Sequence, residues 1–253
     1  MKPDQNIFTQ AFSAIAGCWT YFFGFIAAIW VLETAGIVYD LANALTVARA
    51  LVESGIVFYL CAALMGLDIK SKDINRKYGG FMLRYILLLY LPVVVISLVV
   101  VFGALSVFPA GLQGQEIFLV FTVLAGAAVA FLTTFLFGTV FPAHLKGVSA
   151  GIGPAVGRSL RQAGYLLPRL LFGSGALAGL AVLILLFAEN AGIGSDAITP
   201  AGAPNIPGGI VLLLAKLVSG YGFAVFSVIV CRAYLKDLEE RGESPVAEAD
   251  VFA

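Results

Sequence analysis

Long apolar runs separated by short polar stretches make up most of this chain. Each run is long enough to cross a bilayer as a helix, which takes roughly 20 consecutive apolar residues. The runs show no sustained period-2 alternation of the kind that half-buried strands produce. The pattern therefore predicts an all-α, polytopic membrane protein in a single domain, with spans at about 14–36, 44–67, 83–108, 117–141, 167–188 and 208–231.

The polar stretches predict how these six transmembrane helices are grouped. A charged loop (68–77) leads into the third span, and a longer basic connection leads into the fifth. The motif RxxGxxxxR occurs in both places, at 76–84 and at 161–169. This weak internal repeat indicates three helical hairpins arranged in parallel.

The remaining segments predict local features. Residues 1–10 read as a short cytoplasmic lead-in, and Pro92 inside the third span predicts a kink. The Gly/Pro/Ala-rich loop at 190–207 is predicted to be mobile. A charged helix is expected to continue the last span to Arg241, followed by an acidic, disordered tail at 242–253.

Composition supports a lipid environment. Of the 253 residues, 60% are hydrophobic and only 12% are charged, whereas soluble domains have about 45–50% and roughly 25%. The net charge of zero argues against nucleic acid as a principal partner, since phosphate binding needs a basic surface. Cys18, Cys61 and Cys231 form no CxxC pair and are expected to be reduced packing residues.

The basic residues predict the orientation. If both termini are cytoplasmic, all but two of the 15 Lys and Arg residues lie on the cytoplasmic side, as the positive-inside rule expects. The two exceptions are Arg49 and Lys216. The sequence therefore predicts a multi-pass protein of a cell inner membrane with both termini in the cytoplasm.

Four ionisable residues stand inside predicted spans, one to three turns below the outer surface: Glu33, Arg49, Glu53 and Lys216. A charge at the centre of a membrane helix costs about 2.5–3.5 kcal/mol on insertion scales. Two acids and two bases at one depth suggest a polar site for a zwitterionic solute, a lipid headgroup or a proton. The structural alternative is a set of interhelical ion pairs, or side chains that extend to the outer interface.

A second set of charges is predicted to contact lipid headgroups at the cytoplasmic surface. Each such charge near an anionic surface contributes about 1 kcal/mol. The set comprises Lys70, Lys72, Arg76, Lys77, His144, Lys146, Arg158, Arg161 and Arg169. His144 is the single histidine of the chain, so a multi-histidine metal site cannot form.

Other motifs either predict packing or exclude catalysis. Gly175 and Gly179 stand four apart, a spacing that lets a neighbouring helix approach closely. The glycine-rich stretch at 147–157 lacks the GK[ST] ending of a phosphate-binding loop, and the chain has no HExxH motif. The sequence therefore predicts no metal, no cofactor and no enzymatic activity.

The stretch 141–171 contains the remaining residues that predict local structure. Phe141-Pro142 ends an apolar run, and Gly153-Pro154 begins an amphipathic helix. This helix is predicted to lie on the anionic inner leaflet, with Val156, Leu160 and Ala163 on its apolar side and Arg158, Arg161 and Gln162 on the other.

Together with Arg158-Ser159, these residues resemble a broad family of bacterial six-helix inner-membrane proteins. That family is related to the membrane domain found beside some glycerophosphoryl diester phosphodiesterases. Ala143-His144 and Leu160 depart from the family's pattern. The resemblance implies the six-helix fold and carries over no catalytic residues.

Three function classes follow from the sequence. The favoured one is a non-enzymatic accessory, assembly or scaffold component that packs against lipids, other membrane proteins or a second copy. The alternative is a small-solute or lipid transporter that uses the charge cluster. A membrane-embedded enzyme would need a substrate-sized cavity near His144 or the outer acids.

Overall fold

The computed structural model describes residues 5–39, 42–107, 112–148, 151–194, 196–199 and 202–243. These residues form helices joined by short connections, with one isolated bridge between Ile198 and Pro204. Six helical segments are long and apolar enough to cross a membrane. The predictions of an all-α fold and of six membrane-spanning lengths are confirmed.

The helices are numbered in chain order, and two π-helical turns are labelled π1 and π2. They are α1 (Ile7–Gly17), α2 (Trp19–Val38), α3 (Ala42–Leu64), α4 (Lys72–Tyr85), π1 (Ile86–Tyr90), α5 (Leu91–Val107), α6 (Leu112–Phe137), α7 (Val140–Lys146), α8 (Ile152–Arg161), α9 (Ala163–Arg169), π2 (Leu170–Gly175), α10 (Ala176–Asn190) and α11 (Ile206–Glu240). The third span is α4–π1–α5 and the fifth is α9–π2–α10.

Helix α11 is the centre of the bundle. It is 35 residues long and contacts α1, α2, α3, π2 and α10. Small and β-branched side chains cover all sides of its middle, and Val225, Val228 and Ile229 are fully buried. A helix that is apolar on every side is stable only when neighbours surround it, and the first, second and fifth spans pack around α11.

Glycines set the closest helix contacts. A Cβ on Gly220 of α11 would lie 2.6 Å from Ile26 Cδ1 of α2, and one on Gly55 of α3 would lie 2.6 Å from a ring carbon of Phe25. Membrane helices associate through such close approaches, because lipid supplies no hydrophobic force between them. Sequential spans also pack in pairs: α2 with α3, α5 with α6, and α10 with α11.

The third span contains the π-helical turn π1 next to Pro92, where a kink was predicted. The Leu91 N–H donates to the Ile86 carbonyl, five residues back, which makes π1 a wide turn. Pro92 follows directly and has no N–H for the carbonyl four residues earlier. The rearranged hydrogen bonds of π1 accommodate that loss inside an otherwise continuous helix.

Two predicted boundaries were wrong at the end of the bundle where most basic residues lie, here called the basic end. The first span starts at Trp19, because the helix breaks at Cys18 (φ −132°) and α1 packs as a separate helix with Ala11 fully buried. The predicted charged loop is mostly helical, because Ser71 caps α4 by accepting from the Ile74 N–H.

The loop before α11 is held by hydrogen bonds at the opposite end of the bundle. The Asn205 side chain accepts from the Gly208 N–H and donates to the Ile193 carbonyl, and the Asn205 N–H donates to the Ala197 carbonyl. The prediction of a mobile loop is therefore replaced by a bonded turn over its described part. Most of the predicted tail, 244–253, and the first four residues of the lead-in lie outside the described residues.

Candidate functional site

The four charges predicted inside the spans meet at one place, named here the charge cluster. Arg49 Nε lies 2.8 Å from Glu53 Oε1, and Arg49 Nη1 lies 2.9 Å from Glu33 Oε1. Lys216 Nζ lies 2.5 Å from the same Glu33 oxygen. The cluster is a chain of alternating charge, Glu53–Arg49–Glu33–Lys216, with no net charge.

Three helices bring these side chains together. Arg49 and Glu53 are four residues apart on α3 and face each other across one turn. Glu33 comes from α2 and Lys216 from α11. Trp30 Nε1, one turn before Glu33, donates to the Gly209 carbonyl of α11 at 3.2 Å. This bond fixes the relative height of α2 and α11.

Burial differs along the cluster. The side chains of Glu53 and Lys216 are 11% exposed and that of Glu33 is 20% exposed, whereas Arg49 is 43% exposed. Charged groups this far from solvent are stable only when paired. Glu33 contacts both bases and is therefore the central member of the cluster.

One side of the cluster opens into a cavity of about 370 Å³. Its polar lining includes Glu33, Arg49 and Lys216, and its apolar lining includes Leu32, Leu45, Leu185 and Leu212. A fourth charge, Asp196, reaches the cavity from the loop before α11. We name this space the cluster cavity.

Asp196 was not among the residues singled out from the sequence. The loop places Asp196 next to the start of α11. A Cβ on Gly208 would lie 2.4 Å from the Asp196 carbonyl oxygen, so only glycine fits there. No ion pair to another described residue neutralises its carboxylate. Burial raises the pKa of Asp196, and the nearby Glu189 raises it further. The available signal was that Asp196 is the single charged residue in the loop 190–207.

A second set of ion pairs lies at the basic end. The side chain of Asp237 on α11 is 1% exposed and accepts two bonds from Arg161, from Nε at 2.8 Å and Nη2 at 3.1 Å. Arg241 Nε donates to the same carboxylate at 3.0 Å. Bidentate arginine pairs are strong and directional, so Asp237 fastens α8 to α11. The bond to Asp237 raises the pKa of Arg161.

The predicted headgroup contact of Arg158 was wrong. Arg158 is fully buried: its Nη2 donates to the Thr139 carbonyl at 3.2 Å, and its guanidinium lies 5.1 Å from the Tyr234 ring centroid. Burial lowers the pKa of Arg158. The guanidinium is stabilised by protein groups and not by phosphate.

The orientation predicted for the amphipathic helix α8 was also wrong: most of its polar side faces the protein and not the membrane surface. Ala155, Arg158 and Ser159 face the protein, and the side chains of Ile152 and Leu160 are exposed. The polar face is held against the protein because Asp237, Thr139 and Leu136 O supply its hydrogen bonds, although the Arg161 side chain stays 50% exposed. The apolar side chains of Ile152 and Leu160 therefore face the surroundings of the bundle.

The other predicted headgroup residues divide into two groups. Lys77 Nζ donates to the Leu145 carbonyl at 2.7 Å, and His144 Nε2 lies 3.1 Å from the Lys77 carbonyl oxygen, so both help to dock α7 on α4. Lys146 lines a cavity of about 670 Å³ beside α1. Exposed side chains belong to Lys70, Lys72, Arg76, Arg161 and Arg169. Of these, Arg161 is paired with Asp237, and Arg169 donates to the Tyr165 carbonyl.

Gly175 and Gly179 do not contact a neighbouring helix within the described bundle. Both are exposed, and a Cβ on Gly179 would meet nothing within 4 Å. The close approach is made instead by Gly173, where a Cβ would lie 3.1 Å from Val225. The GxxxG spacing therefore predicted a packing site on the correct span, but Gly175 and Gly179 lie on its exposed side.

The charge cluster places charges of both signs beside a partly apolar cavity. Among the described residues, no group of three His, Cys, Asp or Glu side chains is placed to hold a metal ion. Comparison with protein-family models, curated proteins and solved structures found no match to this chain. The resemblance to the six-helix family therefore stays a prediction.

Proposed function

We propose that this chain is a non-enzymatic membrane protein that binds a zwitterionic small molecule in the cluster cavity, as a solute transporter or a lipid-handling protein would. The observation that carries the proposal is the meeting of Glu33, Arg49, Lys216 and Asp196 around one open cavity. A purely structural ion-pair network needs no such cavity and gains nothing from an additional acid.

The charges suit a ligand that has both signs. Arg49 is the most exposed member of the cluster, so part of its guanidinium can meet a phosphate or carboxylate. Asp196, which has no described ion-pair partner, can meet an ammonium group. The volume of about 370 Å³ falls within the range of about 300–1,000 Å³ typical of small-molecule sites.

The proposed topology places this cavity on the outer side of a bacterial inner membrane. Three hairpins (α2–α3, the third span with α6, and the fifth span with α11) would leave both chain ends in the cytoplasm. The pairwise packing of these helices and the concentration of basic residues away from the cluster support this orientation.

A binding experiment tests the ligand class. We expect soluble phosphoethanolamine or the lipid phosphatidylethanolamine to raise the unfolding temperature of the purified chain in detergent, since a ligand that binds the folded state stabilises it. Asp196→Asn should weaken that binding by about tenfold, or roughly 1.4 kcal/mol. Glu239→Gln removes an equal charge at the basic end and should change nothing.

The two probes separate the two sources of the ligand. A response to the lipid alone indicates a headgroup site, and a response to both probes indicates a solute site. If neither probe changes the unfolding temperature, or if Asp196→Asn binds as tightly as the unchanged protein, the proposal is wrong.

An accessory or scaffold function is the second candidate. It is favoured by the exposed face of π2 and α10 at Gly175 and Gly179, which leaves room for a partner. Extraction into native lipid particles followed by mass spectrometry tests it, because a stoichiometric protein partner is then expected.

A further inference from the structure

A large apolar groove lies on the side of the bundle, and its lining on α11 begins at Ser219, one turn beyond Lys216 of the charge cluster. Its volume is about 850 Å³. Four of the six spans form its walls, through residues that include Leu89, Ala127, Phe131, Gly179 and Phe223. Gly179 leaves open space on its side of the groove, so the groove is an unfilled recess.

Both π-helical turns line this groove. Leu89 of π1 and Leu171, Phe172 and Gly175 of π2 contribute to its walls. The Ser174 hydroxyl donates to the Leu170 carbonyl, and a Cβ on Gly175 would lie 3.0 Å from the same oxygen. The sequence of π2 is thus suited to a wide turn. Such turns occur frequently at functional sites.

The lining offers little for polar recognition. The Ser174 hydroxyl already bonds within its own helix, and most other lining side chains are aliphatic or aromatic. An occupant therefore has to be apolar along most of its length. An acyl chain satisfies this condition.

Arg169, which ends the second RxxGxxxxR repeat, gives the groove a charged end. It lies one turn before Phe172, which lines the groove. Arg169 is exposed, with its guanidinium 4.2 Å from the Tyr165 ring centroid. Arg84 on the third span instead donates to the Gly80 carbonyl of its own helix and lies beside His144. A positive charge therefore lies next to the groove on the fifth span.

We propose that this groove binds an acyl chain of an anionic membrane lipid, with the lipid phosphate held near Arg169. The surrounding bilayer is as apolar as the groove, so burying the chain adds little preference. Selectivity for an anionic lipid has to come from Arg169. A partner helix would have no use for a phosphate-binding charge at this end.

The test fills the groove without disturbing the fold. Gly179→Leu places a side chain in open space, and Gly24→Leu makes the same change at an exposed glycine of α2 whose surroundings are equally open. The full-length chain is offered phosphatidylglycerol and phosphatidylethanolamine in micelles, and retained lipid is counted by native mass spectrometry. Unchanged unfolding temperatures verify that both variants are folded.

We expect Gly179→Leu to weaken phosphatidylglycerol retention by about fivefold or more, equivalent to about 1 kcal/mol, while Gly24→Leu retains it fully. Arg169→Gln should remove the preference for phosphatidylglycerol over phosphatidylethanolamine. The proposal is overturned if Gly179→Leu retains phosphatidylglycerol as the unchanged protein does. It is also overturned if Gly179→Leu releases a bound protein or second copy while lipid retention stays the same.

Discussion

Replacing Glu33 with glutamine should destabilise the protein by about 2–4 kcal/mol, the range expected when a charge in a membrane span or a buried ion pair loses its partner. Arg49 keeps Glu53 as a partner, but the mostly buried ammonium of Lys216 loses its hydrogen-bonded carboxylate. Thermal unfolding in one detergent, without added ligand, measures the loss.

A double substitution separates ion pairing from a general effect of the site. Glu33→Gln combined with Lys216→Met leaves a neutral pair in place of the broken one, so we expect the double variant to be more stable than Glu33→Gln alone. Glu53→Gln with Lys216→Met is the matched control, because those two residues are the ends of the cluster and share no hydrogen bond or ion pair in the described bundle, so their coupling should be smaller. If the two double variants show equal coupling, Glu33 is not the central partner.

Asp237→Asn should have the second largest effect, a loss of about 1–3 kcal/mol, the cost of leaving a buried polar group unsatisfied. Arg161 and Arg241 are 50% and 33% exposed and can regain water. The cost therefore arises mainly at residue 237, where the amide N–H₂ of asparagine would face arginine donors in a site that is 1% exposed.

The part of the protein that loses stability distinguishes an attachment of α8 by Asp237 from a general destabilisation. Because Asp237 fastens α8 to α11, amide hydrogen exchange in α8 should speed up more than exchange in α3. Glu239→Gln, an exposed neighbour on α11, provides the control and should leave exchange unchanged. Uniformly faster exchange in both helices would show that Asp237 does not act on α8 in particular.

Apolar length made the six spans predictable, because helices are the simplest way to satisfy backbone hydrogen bonds in lipid. The charge cluster could also be predicted from the sequence, since Glu33, Arg49, Glu53 and Lys216 lie at one depth in their spans. Which pairs form was not predictable: it depends on the packing of α2 against both α3 and α11, which glycines such as Gly220 permit.

The residues that the sequence misplaced depend on contacts between distant segments. Arg158 is buried because Thr139 and Tyr234 surround it, and no local pattern predicts that α8 turns its polar face inward. Asp196 reaches the cluster cavity because Asn205 and Gly208 fold its loop onto α11. In a membrane protein, periodicity alone does not say whether a polar face meets headgroups or other helices.

The most direct test of the central claim is a high-resolution electron cryo-microscopy map of the chain in native lipid particles. We expect density for a small molecule or lipid headgroup in the cluster cavity, in contact with Asp196 and Arg49, while Glu33 bridges Arg49 and Lys216. A cavity that contains only ordered water or an acyl chain, with the four charges still paired, would contradict the proposed function and leave the cluster as a structural element.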